Sequence, residues 1–120
     1  MKKKDPLGQF EQLVLTAVLQ LRENAYGLGI ARRVSRFGGR DVSTGSVYMT
    51  LERLEDKGYV KSWIDTPTEE AGGHPRRYFC LLPAGERVLG DSLAISRQLA
   101  EAYDDTLRRL GRWMPGKTKA

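Results

Sequence analysis

The chain has 120 residues, of which 40% are hydrophobic and 29% charged. These values suit one ordinary soluble domain and leave too little chain for a second independent core. With a single cysteine, Cys80, and a single histidine, His74, neither an internal disulfide nor a His/Cys metal site can form. No apolar run reaches the roughly 18 residues of a membrane span, and the amino terminus does not resemble a secretory signal. We therefore expect a small cytoplasmic protein with no metal, cofactor or membrane partner.

The formal net charge is +5, which favours a polyanionic partner without requiring one. The excess of base lies in residues 1–82 and 111–120, whereas residues 83–110 carry slightly more acid than base. This change in charge predicts that the segment after residue 82 has a different purpose from the segment before it.

Two helices are predicted at the start of the chain. Residues 8–21 have a narrow polar stripe, Gln9, Gln12, Thr16 and Gln20. The rest of that helix is nearly all apolar, so it needs cover on more than one side, and we expect another chain to supply part of it. The second helix is expected from Tyr26 to Phe37. Its inward residues are Ile30, Ala31, Val34 and Phe37.

A third helix is expected to begin at the N-cap residue Ser43 and to end at Gly58. The apolar period then changes, and residues 59–65 and 78–82 predict two strands of a β-hairpin with the polar loop 66–75 between them. Pro83 opens a long helix that reaches about Gly111.

This order of elements predicts an α+β, mostly α chain with the winged helix-turn-helix plan. We expect residues 1–82 to form the winged domain with an amino-terminal basic arm. Residues 83–114 are expected to form a dimerisation helix, and residues 115–120 a disordered tail.

Several local strings sharpen this prediction: Ala25-Tyr26-Gly27, Ser43-Thr44-Gly45-Ser46-Val47-Tyr48, Leu51 to Val60, Gly72 to Phe79, and Leu82-Pro83-Ala84-Gly85-Glu86. Together they resemble the PadR family of bacterial transcriptional regulators over residues 7–110. The sequence departs from the family pattern at Leu82, where a threonine is common, and at the acidic wing residues Glu69 and Glu70. The resemblance implies a DNA-binding repressor that dimerises through one carboxy-terminal helix.

The third helix carries the candidate DNA-reading face. A projection with Val47 inward exposes a face of small, hydroxyl-bearing and basic residues, with Tyr48 at its margin. Small residues permit close approach, hydroxyls donate to phosphates or bases, and a methionine can touch a thymine methyl. The alternative is an ordinary solvated helix face. The candidate DNA contacts on this helix are Ser43, Thr44, Gly45, Ser46, Tyr48, Met49 and Arg53.

Further contacts with double-stranded DNA are expected from the wing residues Lys61, Arg76 and Arg77, for which ordinary surface charge is the alternative. Lys2, Lys3 and Lys4 would form either a basic arm on the DNA or a solubilising end. The resemblance implies that Tyr26 bonds a phosphate, and a packed aromatic ring is the alternative.

The last helix carries an apolar stripe of Ile95, Leu99, Tyr103, Leu107 and Leu110. We expect this stripe, together with Leu13 of the first helix, to form a homodimer interface; packing within one chain is the alternative. A symmetric dimer would place two recognition helices about one DNA turn apart, roughly 34 Å, on a near-palindromic site.

Members of the family often respond to small aromatic or lipophilic effectors. Tyr103, Trp113 and Met114 are candidates either to line an effector pocket or simply to fill the dimer interface.

Two other functions are alternatives to DNA binding. A winged-helix module that binds protein without reading DNA would fit the acidic wing tip. An enzyme is disfavoured because no nucleophile–base pair can be assembled, so no catalytic residue is predicted. Cys80, in a strand, is expected to be a small buried hydrophobe rather than a redox sensor.

Overall fold

The structure, a computed structural model, describes residues 5–39 and 41–116. It has four helices and one two-stranded antiparallel sheet: α1 Gln9–Leu21, α2 Gly27–Arg36, α3 Thr44–Asp56, β1 Val60–Asp65, β2 Arg76–Leu81 and α4 Pro83–Leu110. Short 3-10 turns lie at Arg22–Asn24 and Glu69–Ala71. The order and type of the predicted elements are confirmed, and together they form a winged helix-turn-helix with a long carboxy-terminal helix.

Helix α1 is the central element of the winged domain, because α2, α3, α4 and β2 all pack against it. Its residues Val14, Leu15, Ala17 and Val18 are buried within this one chain. The apolar excess of α1 is therefore covered mainly by the chain's own elements, and Leu13 remains half-buried against the same core. One residue of the polar stripe also bonds within the chain: the Gln12 side chain donates a hydrogen bond to the Leu7 carbonyl at 2.8 Å.

The second helix is shorter than predicted. Ile30, Ala31 and Val34 are buried as expected, but α2 ends at Arg36 and Phe37 is 37% exposed. The prediction that Phe37 points inward is wrong. Phe37 has already left the helix with an extended backbone, so the helical period no longer sets its direction, and Gly38 at φ 74° continues the turn.

Helix α3 begins as the sequence indicates. The Ser43 hydroxyl oxygen accepts a hydrogen bond from the Ser46 backbone N–H at 3.1 Å, which satisfies one free donor of the first turn. Val47, Leu51 and Leu54 are buried beneath the helix. Gly58, at φ 82°, turns the chain from α3 into β1.

The hairpin packs its base on the core and is flanked by a third extended segment. Val60 and Phe79 are buried, and the Phe79 N–H donates to the Ala25 carbonyl at 2.9 Å. Tyr26 forms a bridge with Tyr78, so the start of α2 is tied to the edge of β2. The sequence patterns did not indicate this tie.

Helix α4 has two parts. Gly85, Val88, Leu89 and Ser92 are buried against the winged domain, and the Ser92 hydroxyl accepts from the Leu7 backbone N–H at 2.9 Å. Beyond Ser96 the side chains are almost all exposed, and the chain is elongated, with extents of 73 × 38 × 20 Å. The second half of α4 therefore projects from the domain. Within the described residues, no helix combines the length and apolarity that crossing a bilayer requires.

Candidate nucleic-acid interface

The outer face of α3 is open along its length. Met49 is 64% exposed, Ser46 and Arg53 are exposed, and no atom lies within 4 Å of a Cβ built on Gly45. These residues lie on the face of α3 that the helical projection predicted. A shallow cavity of about 490 Å³ runs along it, lined by Phe10, Asp41, Val42, Ser43, Ser46, Met49, Thr50 and Arg53.

The first turn of α3 presents hydrogen-bond donors. The Ser43 hydroxyl caps the helix and donates to the Ser46 hydroxyl at 2.9 Å, which leaves the Ser46 proton available to an outside acceptor. The backbone N–H groups of Thr44 and Gly45 precede the first intrahelical bond, which Val47 makes to Ser43 at 3.3 Å. This turn therefore offers N–H and O–H donors together with the positive end of the helix dipole, an arrangement suited to a phosphate.

Arg53 lies two turns further along the same face. Its guanidinium reaches the hydroxyl of the buried Thr50 at 3.4 Å. Thr50 was not among the predicted site residues, although its position three residues before Arg53 places both on one side of the helix.

Tyr48 is separated from this face. A Cβ on Gly27 would overlap the Tyr48 ring, and the ring meets Phe79 edge-on with centroids 6.1 Å apart. Gly27 therefore lets α2 approach α3 closely, with Tyr48 filling the space between them. DNA contact by Tyr48 stays a prediction, and its observed partners are in the protein.

The outer side of the wing carries an aromatic stack. The rings of Trp63 and Tyr78 stack at 6.1 Å, and Tyr26 meets Tyr78 edge-on at 5.9 Å. The Arg76 guanidinium lies 4.2 Å from the Tyr26 ring centroid, a distance typical of a cation–π contact. Tyr26 is thus half-buried in an aromatic cluster, and a phosphate contact by its hydroxyl stays a prediction. Lys61 is exposed on this same side of the hairpin, away from α3, because its strand neighbour Ser62 points toward α3.

Arg77 points to the opposite side of the hairpin, toward α3. Its guanidinium forms ion pairs with Glu52 at 3.0 Å and with Glu55 at 2.8 Å. The hydrogen bond to Glu52 is the main cause that raises the pKa of Arg77 above its ordinary value. The structure thus gives Arg77 two carboxylate partners within the chain. Glu52 and Glu55 are not recognisable from the sequence as partners of Arg77, because only the placement of the hairpin brings residues so distant in sequence together.

The projecting part of α4 exposes the predicted apolar stripe: Ile95, Leu99, Tyr103, Leu107 and Leu110. All five are exposed in this chain, and Ile95 also borders a cavity beside the first half of α4. A dimer interface at this stripe stays a prediction. Trp113 and Met114 follow the helix, and Trp113 is 81% exposed. Neither they nor Tyr103 line the second cavity, of about 500 Å³, which lies beside the first half of α4 and includes Pro6, Tyr59, Val88, Asp91 and Ile95.

The remaining predictions concern the two ends of the chain, Cys80 and metal binding. Lys2, Lys3 and Lys4 and residues 117–120 of the predicted tail lie outside the described residues. Cys80 is half-buried, not fully buried. Among the residues described, no three side chains of His, Cys, Asp or Glu gather as a metal-ligand set.

Comparison with known proteins agrees with this geometry. The profile of the "Transcriptional regulator PadR-like family" matches residues 14–91, and no curated protein gives a significant match. Among solved structures, a PadR family regulator from Eggerthella lenta is 28% identical, with a TM-score of 0.64 over 82% of this chain and 83% of that chain. A PadR family regulator from Clostridium difficile is 25% identical, with a TM-score of 0.66 over 83% of this chain and 99% of that chain. A PadR-like regulator from Bacillus cereus shares the fold, with a TM-score of 0.70 over 82% of this chain and 90% of that chain, and is 19% identical. The family profile covers well over half of the chain, which therefore belongs to the PadR-like family of transcriptional regulators.

Proposed function

We propose that this regulator acts as a homodimer that places one α3 of each chain in the major groove of a near-palindromic operator and represses transcription there. The observation that carries the proposal is the open face of α3. It combines an exposed helix start, an unobstructed glycine and an exposed arginine, with a hairpin wing beside it.

Each part of that face suits a different part of the duplex. The donors of the first turn suit a phosphate, and Gly45 lets the backbone approach it. Met49 offers an apolar contact to a thymine methyl, and Arg53 offers a fork of donors to a guanine edge or a second phosphate. The carboxylate of Asp41, at the edge of the same cavity, would repel a phosphate, so we place the phosphate nearer to Gly45.

Dimerisation is proposed through the projecting half of α4. The five stripe residues span about 22 Å of helix at 1.5 Å per residue, and a second copy of the same helix is the surface that matches them by symmetry. Two α3 helices fixed in this way would read half-sites about one helical turn apart.

The proposal extends to repression and to release of the DNA by an effector. A dimer that spans two successive grooves would block access of RNA polymerase when its site overlaps a promoter. A small aromatic or lipophilic effector bound between the projecting helices, near Tyr103, Trp113 and Met114, would change the angle between the two winged domains and release the DNA.

The test starts from selection of bound duplexes out of random-sequence DNA. We expect the enriched sequence, here called the operator duplex, to contain an inverted repeat. Affinity for it should fall with salt by about 0.9 log units per decade for each phosphate contact. A protein-interaction module would give no enriched sequence and little salt dependence. Transcription in vitro from a promoter that carries the operator duplex then distinguishes repression from activation.

Arg53→Ala tests the assigned face directly. We expect affinity for the operator duplex to fall by about tenfold, since loss of one base or phosphate contact costs roughly 1–3 kcal/mol. Arg97→Ala removes the same charge from an exposed site on α4 and should change the affinity by less than about twofold. Equal effects of the two substitutions would contradict the assignment of α3 as the reading helix.

A further inference from the structure

The two sides of the wing hairpin differ in what they face. In an antiparallel pair, residues opposite each other point to the same side of the sheet. The pairs Ser62 with Phe79 and Ile64 with Arg77 therefore share one side, which we call the inner side because Phe79 is in the core and Ser62 contacts α3. Arg77 belongs to this inner side.

A single carboxylate on α3 holds both strands of the hairpin. Glu55 accepts hydrogen bonds from the backbone N–H of Ser62 at 3.2 Å and from the Ser62 hydroxyl at 2.9 Å, both on β1. It also accepts from Arg77 on β2 at 2.8 Å. Glu52, three residues earlier on the same helix, accepts from the same guanidinium at 3.0 Å. We call Glu52, Glu55, Ser62 and Arg77 the carboxylate clamp.

The clamp engages all three nitrogens of the Arg77 guanidinium. Nη1 donates to Glu52, Nη2 to Glu55, and Nε to the Ser62 hydroxyl at 3.0 Å. The guanidinium carbon also lies 5.1 Å from the centroid of the Phe79 ring. Two carboxylates face one guanidinium, so the local charge is negative and a phosphate would be repelled from this position.

We propose that Arg77 is a positioning residue: the carboxylate clamp sets the angle between the wing and α3, and through that angle it determines how well the regulator distinguishes its operator from other DNA. The inference rests on the proposed function. It replaces the expected DNA contact of Arg77 with contacts inside the protein.

The hairpin needs such a fixture because the core reaches only its base. Val60 and Phe79 are buried, but Ile64 is exposed and the ten-residue loop 66–75 is mostly exposed beyond it. On the outer side the aromatic ring of Tyr26 supports the hairpin. On the inner side the clamp provides polar contacts between the hairpin and α3. Since wing and α3 must meet one duplex at the same time, a change in their angle costs specific contacts while leaving non-specific phosphate contacts available.

The test compares Glu55→Gln, Arg77→Met and the double variant on two probes, the operator duplex and a scrambled duplex of equal length and composition. We expect each single variant to lose about tenfold in operator affinity. Affinity for the scrambled duplex and the salt slope should stay the same. The double variant should lose no more operator affinity than either single variant, because each of the three variants already breaks the carboxylate clamp. Glu11→Gln makes the same charge change as Glu55→Gln but removes a different ion pair, the one between α1 and Lys57 at the end of α3, at 3.5 Å. It should therefore leave the ratio of the two affinities unchanged.

Arg77→Lys keeps the positive charge but loses the fork of donors. This variant separates a loss of positioning from a loss of charge, and thermal unfolding separates both from a loss of stability. Positioning predicts that it behaves like Arg77→Met, with the folded state checked by thermal unfolding of each variant. A phosphate contact would instead survive in Arg77→Lys, disappear in Arg77→Met with a loss of about 0.9 in the salt slope, and strengthen in Glu55→Gln. That pattern, or an unchanged affinity ratio in every variant, would overturn the inference while leaving the proposed function standing. If the wild-type protein did not prefer the operator duplex, the proposed function itself would fail, and this inference with it.

Discussion

The exposed stripe on α4 makes a quantitative prediction about the dimer. Leu99 is 67% exposed and Leu107 is 41% exposed, so the two side chains together still present about one whole leucine to solvent. Burying a whole leucine is worth about 1.5–3 kcal/mol, or about 3–6 kcal/mol for the two chains of a dimer. The double variant Leu99→Glu/Leu107→Glu removes this contribution and places carboxylates of like charge in the interface.

We expect the dissociation constant of the double variant to rise by at least about a hundredfold, because 1.4 kcal/mol corresponds to a factor of ten. Analytical ultracentrifugation across the micromolar range measures this directly, and circular dichroism checks that the helix content is kept. Arg97→Glu is the matched control. It makes the chain two charges more negative, as the double variant does, but on the opposite side of α4.

The reasoning would be refuted by a double variant that dimerises as tightly as the wild type, or by a wild-type chain that stays monomeric. In either case the exposed stripe would not be the dimer interface. Loss of the dimer should also weaken binding to the operator duplex more than binding to a single half-site, because only the dimer occupies both half-sites at once.

Two further predictions concern glycines. A Cβ on Gly85 would overlap the Tyr59 carbonyl oxygen, whereas no atom lies within 4 Å of a Cβ on Gly90 in the same helix. At a fixed protein concentration, urea unfolding should show that Gly85→Ala loses about 1–3 kcal/mol or more and that Gly90→Ala gains about 0.5–1 kcal/mol. Similar stabilities for the two variants would contradict the close packing of α4 on the hairpin. Gly45→Ala meets nothing within 4 Å in the free protein, so it should keep the fold but weaken operator affinity by roughly five- to a hundredfold; an unchanged affinity would show that the backbone of α3 does not approach the DNA closely there.

Local patterns in the sequence were enough to identify the elements and their order. The N-cap serine, the glycine that ends α3 and the change of apolar period at Tyr59 each act within a few residues, so their consequences can be read without knowing the fold. The same holds for the open face of α3 and the stripe of α4, since both follow from the helical repeat alone. Phe37 marks the limit of this approach: the repeat predicts its direction only while the chain remains helical, and α2 ends one residue before it.

Only the tertiary structure decided which charged and aromatic side chains are partners. Arg76 and Arg77 are neighbours with the same chemistry in sequence, yet one lies over the Tyr26 ring and the other is held by Glu52 and Glu55 of α3. Alternation along a strand sends adjacent side chains to opposite sides, but what waits on each side depends on how helices distant in sequence pack around the hairpin. The sequence by itself thus determined that this chain builds a winged helix with an open face on α3. Packing determined that Arg53 stays exposed on that face, whereas Arg77 is paired with two carboxylates of the same helix.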